Sequence, residues 1–293
     1  MAINLKLTPA EVEFLKSKKI GLVLSGGASR GFAEAGVMNV FEKHSIEPVA
    51  IVGASVGSLV GVCVAAGKSA SVLESEFLEH KPFTWRDISM FSHSGLLNAE
   101  HIVSRILKVL DVEKFSDLRI PLKVTATNLN TGKERIFSSG KLIDALASSI
   151  AFPGVIAPRK IGRHWYADGG VNNPIPVHLL PKNVDLVIIV DVTGKLRPLE
   201  DNSSTLTLLK NVYEIMLHHI SNREIERAML EYDSILIQPP VGIYGLFNFS
   251  TENAKSMIRT GEKTAREAIK KGIKRLKAKE RKLEQLATPN ISS

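Results

Sequence analysis

Ile51-Val52-Gly53-Ala54-Ser55-Val56-Gly57-Ser58 holds the key turn of this chain. An apolar run of β type, Val49 to Val52, leads into Gly-x-Ser-x-Gly, and a second apolar run, Leu59 to Ala66, follows at once. The order is strand, sharp turn, helix, which is the setting a nucleophile elbow needs. Gly53 and Gly57 leave out side chains where strand and helix crowd. The backbone at Ser55 can then take a strained conformation and present its hydroxyl. A helix starting there points its free N–H groups and positive dipole end at any anion formed at the serine. The competing reading is a tight turn around a buried structural serine, because so short a pattern also arises by chance.

Upstream, Ile20 to Leu24 reads as a short buried strand, Ser25 to Gly31 as a glycine-rich turn and Phe32 to His44 as a helix. Residues 20–53 thus form a strand–helix–strand unit, whose two strands are expected to be parallel neighbours. Both glycine turns then fall at the carboxyl edge of the sheet, where open α/β sheets bind ligands. Thr8-Pro9-Ala10-Glu11 is a capping box with proline at the first helical position, predicting a helix to about Ser17. Downstream, strands are predicted at 121–127 and 135–137 (a hairpin), 184–192 and 234–237. Helices are predicted at 100–110, 141–149, 203–230 and 251–286. Residues 70–99 mix Phe77, Leu78, Phe83, Trp85, Ile88, Met90, Phe91, Leu96 and Leu97 with charges. Core cover and the lid or wall of an apolar pocket fit them equally. The organisation read is one domain, residues 1–250, with a basic helical extension, residues 251–293.

The 293 residues are 44% hydrophobic and 23% charged, the composition of a globular protein with a sizeable core. Cys63 is the one cysteine, placed in an apolar helix. Met1 to Lys19 has no continuous apolar run that would act as a secretory signal. A reducing, cytoplasmic location with peripheral membrane contact is therefore expected. Val49 to Gly67 carries no charge and nears membrane-spanning length, but its glycines and serines favour a buried strand and helix. The net charge is +8, and Lys255 to Lys282 alone holds twelve Lys and Arg against three Glu. So local an excess points to an anionic partner, either a membrane surface or nucleic acid. No aromatic side chains are interleaved there, which argues against a nucleic-acid reader.

A serine hydroxyl is a weak nucleophile until a base takes its proton, and the oxyanion it generates needs fixed donors. His218 and His219 read as helix surface. His164 and His178 flank Asp168 and remain candidates for the base. Asp168 itself follows Trp165-Tyr166-Ala167 and precedes Gly169-Gly170, so it can project from a tight turn. An ordinary Asp-Gly turn is the alternative. The Gly26–Gly31 loop offers backbone N–H groups at a helix start, an anion site. A P-loop is excluded, since Gly-Lys-Ser/Thr is missing, and the dinucleotide fingerprint fits poorly. An oxyanion hole beside Ser55 remains.

Taken together, Gly26-Gly27-Ala28-Ser29-Arg30-Gly31, Gly53-Ala54-Ser55-Val56-Gly57 and Asp168-Gly169-Gly170 resemble the motifs of the patatin-like phospholipase family, in its compact bacterial form. The stretch Ala147 to Pro158 is similar too, and the resemblance covers roughly residues 18–240. It implies a three-layer α/β/α sandwich with a mostly parallel sheet. It also implies hydrolysis of lipid acyl esters (phospholipid or lysophospholipid) by a Ser–Asp dyad, with Ser55 as nucleophile and Asp168 as base. The oxyanion hole is then expected from the backbone of Gly26, Gly27, Ala28, Ser29 and Arg30. One departure stands out: Ala28 occupies the place of the family's third glycine, and its N–H is expected to serve only if φ there is negative. Arg30 reads as a structural pairing in preference to a lipid-phosphate contact. No metal and no cofactor are expected. The main rival is a non-catalytic lipid- or acyl-binding protein on the same scaffold. The expected partners are a lipid ester and, through the basic helix, anionic membrane. Head group, chain length and oligomeric state are not legible.

Overall fold

The computed structural model describes residues 6–79, 97–196, 199 and 205–287. Its helices are α1 (Pro9–Lys16), α2 (Gly31–Lys43), α3 (Val56–Ala65), α4 (Ser71–Glu79), α5 (Ala99–Leu110), α6 (Leu142–Ser149), α7 (Thr205–Glu231) and α8 (Thr251–Ala287). Its strands are β1 (Ile20–Leu24), β2 (Ala50–Ala54), β3 (Leu122–Asn128), β4 (Glu134–Phe137), β5 (Arg159–Ile161), β6 (His164–Asp168), β7 (Leu186–Val190) and β8 (Ser234–Ile237).

The uniformly apolar runs build the middle of the sheet. β1, β2 and β7 are buried along their whole length, as parallel strands covered on both faces must be. The strand order is β5-β6-β3-β2-β1-β7-β8, with β4 also on β3. β3, β2, β1, β7 and β8 run parallel, and β4, β5 and β6 join antiparallel. Alternation along each strand divides the core in two. Leu22, Leu24, Leu186, Ile188 and Val190 pack with residues of α2, α3, α5, α6 and α8. Val23, Val187 and Ile189 pack with Ile225 and Ala228 of α7 and with residues 175–180. The result is a mostly parallel sheet between helical layers, the α/β sandwich expected.

The charge-free run at Val49–Gly67 is β2 and α3, buried together. Among the described residues, no helix is long and apolar enough to cross a membrane. β5 went unread: Arg159-Lys160-Ile161 is a short, partly exposed edge strand, with no apolar alternation to betray it. Of residues 70–99, α4 and Leu97 are described, while Phe83, Trp85, Ile88, Met90, Phe91 and Leu96 lie outside the described residues.

α8 lies along α2, and its stripe of Ile258, Ala265, Ile269, Ile273 and Leu276 is part of the main core. The approach is close enough that a Cβ on Gly36 would sit 2.0 Å from the Ile258 carbonyl oxygen. Leu283, expected on the same stripe, is instead 57% exposed, because α8 there has run past the body of the domain. The basic half of α8 reaches the amino edge of the sheet. There Lys279 pairs with Asp233 at 2.6 Å and Arg275 bonds the Ser234 carbonyl, both at the start of β8.

Candidate active site

β3 brings the two motifs together. Ala54, the last residue of β2, is in register with Thr125, and Asp168, the last residue of β6, is in register with Ala126. Two chains ending beside neighbouring residues of one strand place Ser55 and Asp168 in contact. Ser55 Oγ donates to Asp168 Oδ2 at 2.5 Å. The other carboxylate oxygen accepts from the Gly170 N–H at 2.7 Å. Gly169 is required for this turn: a Cβ there would lie 2.4 Å from the Thr125 carbonyl oxygen.

Ser55 sits at φ 53°, ψ −128° as the N-cap of α3, a conformation that non-glycine residues rarely hold. The crowding expected around it is present. A Cβ on Gly53 would lie 2.5 Å from the Gly57 oxygen, and one on Gly57 would lie 2.4 Å from the Leu24 oxygen. Gly31 in turn backs onto Val56. The hydroxyl is not open to bulk solvent, since Ser55 is only 7% exposed. It opens into an apolar pocket of about 640 Å³, mouth included, lined by Phe32, Leu59, Phe77, Phe152, Ile156, Phe247 and Phe249 among others. From the 70–99 region, Leu73 and Phe77 of α4 line the pocket and also belong to the main core.

The glycine-rich loop lies beside Ser55, and Ala28 lines the pocket. Two expectations about it need correction. Three of its five N–H groups are already bonded: Gly26 to the Pro174 oxygen, Ser29 to the Leu246 oxygen and Arg30 to the Gly27 oxygen. Among the described residues only the Gly27 and Ala28 N–H groups lack an acceptor. Ala28 itself has φ +50°, not the negative value expected. The left-handed turn is what frees its N–H, at a backbone cost of about 1–2 kcal/mol for an L-residue. Arg30 is fully buried and structural, bonding the Tyr244 and Thr193 carbonyls and pairing with Glu214 at 3.5 Å. It pins the loop between α7 and the segment after β8.

Burial pushes the Asp168 carboxyl up to about 7, an effect only partly offset by the bonds from Ser55 and Gly170. A carboxyl so placed can take a hydroxyl proton near neutral pH. Glu34 on α2 is also buried, and burial raises its carboxyl well above the ordinary range. The Ser25 backbone nearby offsets part of that rise, and no described hydrogen bond joins Glu34 to Ser55. Of the histidines, His178 bonds Glu134 at 3.0 Å and His218 bonds Asn222 at 3.1 Å, while His164 and His219 are exposed. No described hydrogen bond joins any of them to Ser55 or Asp168. Cys63 is buried, its thiol raised to about 12 by desolvation.

Two neighbours were not singled out beforehand. The Ser149 hydroxyl, at the end of α6, accepts from the Ser55 N–H at 2.9 Å and locks the elbow. Tyr213 of α7 stacks edge-on against Phe152 with ring centres 4.8 Å apart, and its hydroxyl lies near Gly170. Ser149 falls within the family-like stretch Ala147 to Pro158, where the resemblance gives it no role, and Tyr213 carries no local motif.

Comparison with known proteins agrees with this architecture. The chain is 35% identical over 185 residues to an uncharacterized NTE family protein of Mycobacterium tuberculosis, covering 61% of this chain and 50% of that one. It is 25% identical over 288 residues to Lysophospholipase NTE1 of Pyricularia oryzae, covering 88% of this chain and 19% of that one. It is 29% identical over 208 residues to the cGAMP-activated phospholipase of Escherichia coli, covering 59% and 58%. The chain thus spans about half the length, or less, of the first curated relatives it matches. Among solved structures, VipD from Legionella pneumophila shares the fold, with a TM-score of 0.54 over 87% of this chain and 67% of that one at 13% identity. The family model for patatin-like phospholipases matches residues 22–181, more than half of the chain and all three motifs, and this protein belongs to the patatin-like phospholipase family.

Proposed function

We propose that the chain is a serine acyl hydrolase acting on acyl esters of lipids, with Ser55 as nucleophile and Asp168 as general base. The observation that carries the reading is the 2.5 Å bond from the Ser55 hydroxyl, at the wall of an apolar pocket, to the buried Asp168 carboxylate. Ser55 Oγ attacks the ester carbonyl carbon as its proton passes to Asp168. The oxyanion that forms is met by the unpaired N–H groups of Gly27 and Ala28, preorganised donors in a site from which water is largely excluded. Asp168 then protonates the leaving alcohol oxygen. In the second half, water gives its proton to Asp168 and attacks the acyl-enzyme, and Ser55 is regenerated. The apolar walls suit an acyl chain, and the likeness to Lysophospholipase NTE1 and to the cGAMP-activated phospholipase supports phospholipid or lysophospholipid as substrate class.

The test is fatty-acid release from phospholipid, lysophospholipid and acylglycerol esters by wild type and Ser55→Ala. Wild type should release acid from at least one class, and the variant should lose more than ~10³-fold in turnover. Lipid binding without release by wild type would instead favour the non-catalytic reading.

The basic face of α8 is a smaller part of the proposal. Lys279, Arg275 and Arg266 are engaged with Asp233, Ser234 and Glu262, and Lys277 lies over Phe14. Its contribution is a salt-screened attraction to anionic lipid, about 1 kcal/mol for each cation near the surface.

A further inference from the structure

α7 is apolar on two opposite faces, and among the described residues only one of them packs into a core. Leu217, Ile225 and Ala228 are buried. Across the helix, Leu208, Leu209, Val212, Ile215 and Met216 are between 36% and 63% exposed. At ~100° per residue these five fall within an arc of about 120°, opposite the buried stripe. The second half of the same outward face carries Arg223, Glu226 and Arg227 around the exposed Leu230, so the contiguous apolar surface belongs to the first half.

That half stands beside the proposed active site. Tyr213 packs on Phe152 and Lys210 lies over Phe247, at 4.8 and 5.2 Å between centres, and both rings line the pocket. From Thr207 to His219 the one acid is Glu214, and it turns inward to Arg30. Among the described residues of this half no carboxylate therefore faces outward, while exposed Lys195 and Ile243, the latter 74% exposed, line a cleft with His218 and Asn222 at its flank. Contiguous exposed apolar surface of this kind marks an interaction site.

We propose that the outward face of the first half of α7 is a membrane-docking surface that seats in the lipid interface and sets the pocket against its substrate. The inference rests on the lipid-ester reading of the pocket. The occupant is a lipid surface because the patch adjoins a pocket suited to acyl chains and, among the described residues, presents cations and no outward acid.

The experiment uses the inactive Ser55→Ala full chain, so no turnover is needed. Co-sedimentation is measured with phosphatidylcholine vesicles, with and without phosphatidylserine. In that background Leu209→Glu with Met216→Glu should lower partition onto both vesicles by about 10-fold or more. Leu208→Gln with Val212→Gln should repeat the loss without adding charge, and thermal melting followed by circular dichroism confirms that both pairs fold. Leu230→Glu, on the charged half of the helix, should bind as the parent does. Gln at Lys270, Lys271, Lys274 and Lys277 should remove only the added binding to phosphatidylserine at low salt. Parental binding by both α7 pairs, or no vesicle binding by the parent, overturns the proposal. So does a parent dimer in sedimentation velocity that the α7 pairs dissociate while vesicle binding stays. Docking and hydrolysis are read separately: an inactive enzyme that docks would sink the hydrolase reading and leave this measurement standing.

Discussion

The two edges of the sheet are built to different rules. At the amino edge, backbone groups find ordinary partners. The Lys19 N–H bonds the Asp185 carboxylate at 2.8 Å, and the Val49 N–H bonds the Ile20 oxygen at the same distance. Thr8 and Glu11 cap α1 reciprocally. Ser45, with φ +50°, follows the C-cap of α2, where a left-handed residue is common. At the carboxyl edge, Ala28 and Ser55 hold positive φ without closing a helix, and two N–H groups stay unbonded. Asp168 is buried there with its proton affinity raised. The difference teaches where stability resides and where it is given up. Strain and desolvation collect where chemistry is proposed, and the capped edge supports them.

The largest expected effect breaks the carboxyl edge. Asp168→Asn keeps the shape and removes the base, and turnover should fall by roughly 10²–10⁴. Ester hydrolysis by Asp168→Asn, His164→Ala and His178→Ala decides the matter. A severe loss in either histidine variant, with a mild one in Asp168→Asn, would transfer the base to that histidine.

The same substitution sharpens the comparison through stability. The Asp168 carboxyl is raised in the folded state from 3.8 to about 7, so the native protein holds a proton that the unfolded chain has released. Wild type therefore loses stability as pH rises from about 4 to about 7, and an asparagine does not titrate. The advantage of Asp168→Asn over wild type should be greater at pH 8 than at pH 4 by on the order of 2–4 kcal/mol. Urea unfolding at the two pH values measures it. A pH-independent difference would mean that the carboxyl is not raised.

The smallest effect belongs to the amino edge. Thr8→Ala removes one half of the α1 capping box and should cost about 1 kcal/mol of unfolding free energy, with turnover unchanged. Urea unfolding and an ester assay on the same preparation read both. Loss of activity without loss of stability would undo the separation of roles between the edges.

Much of this was legible where the determinant is local. The strand–turn–helix order around Ser55, the capping box at Thr8 and the buried runs of β1, β2 and β7 each declare themselves within a few residues. So did Asp168, through the aromatic approach and the two glycines. What escaped depends on distant chain. Ser149 and Tyr213 reach the site from α6 and α7, the first inside a family-like stretch that does not declare its contact with Ser55, the second at a position without a motif. The φ of Ala28 is imposed by its setting, where the neighbouring Gly27 is pressed against Val192 and Ser29 is tied to Leu246, and no propensity of alanine foretells it. β5 is too short and polar to show a period. Leu283 continues the apolar spacing of α8, but the helix outruns the surface it packs on.

The central claim is that Ser55 is an activated nucleophile with Asp168 as its base. A fluorophosphonate probe, followed by peptide mass spectrometry, tests it most directly. Wild type should be modified at Ser55 alone, at a rate that falls as pH drops below about 7, where the buried carboxyl takes up its proton. Asp168→Asn should label far more slowly. Labelling at another residue, or a Ser55 reaction as fast in Asp168→Asn as in wild type, would contradict the account.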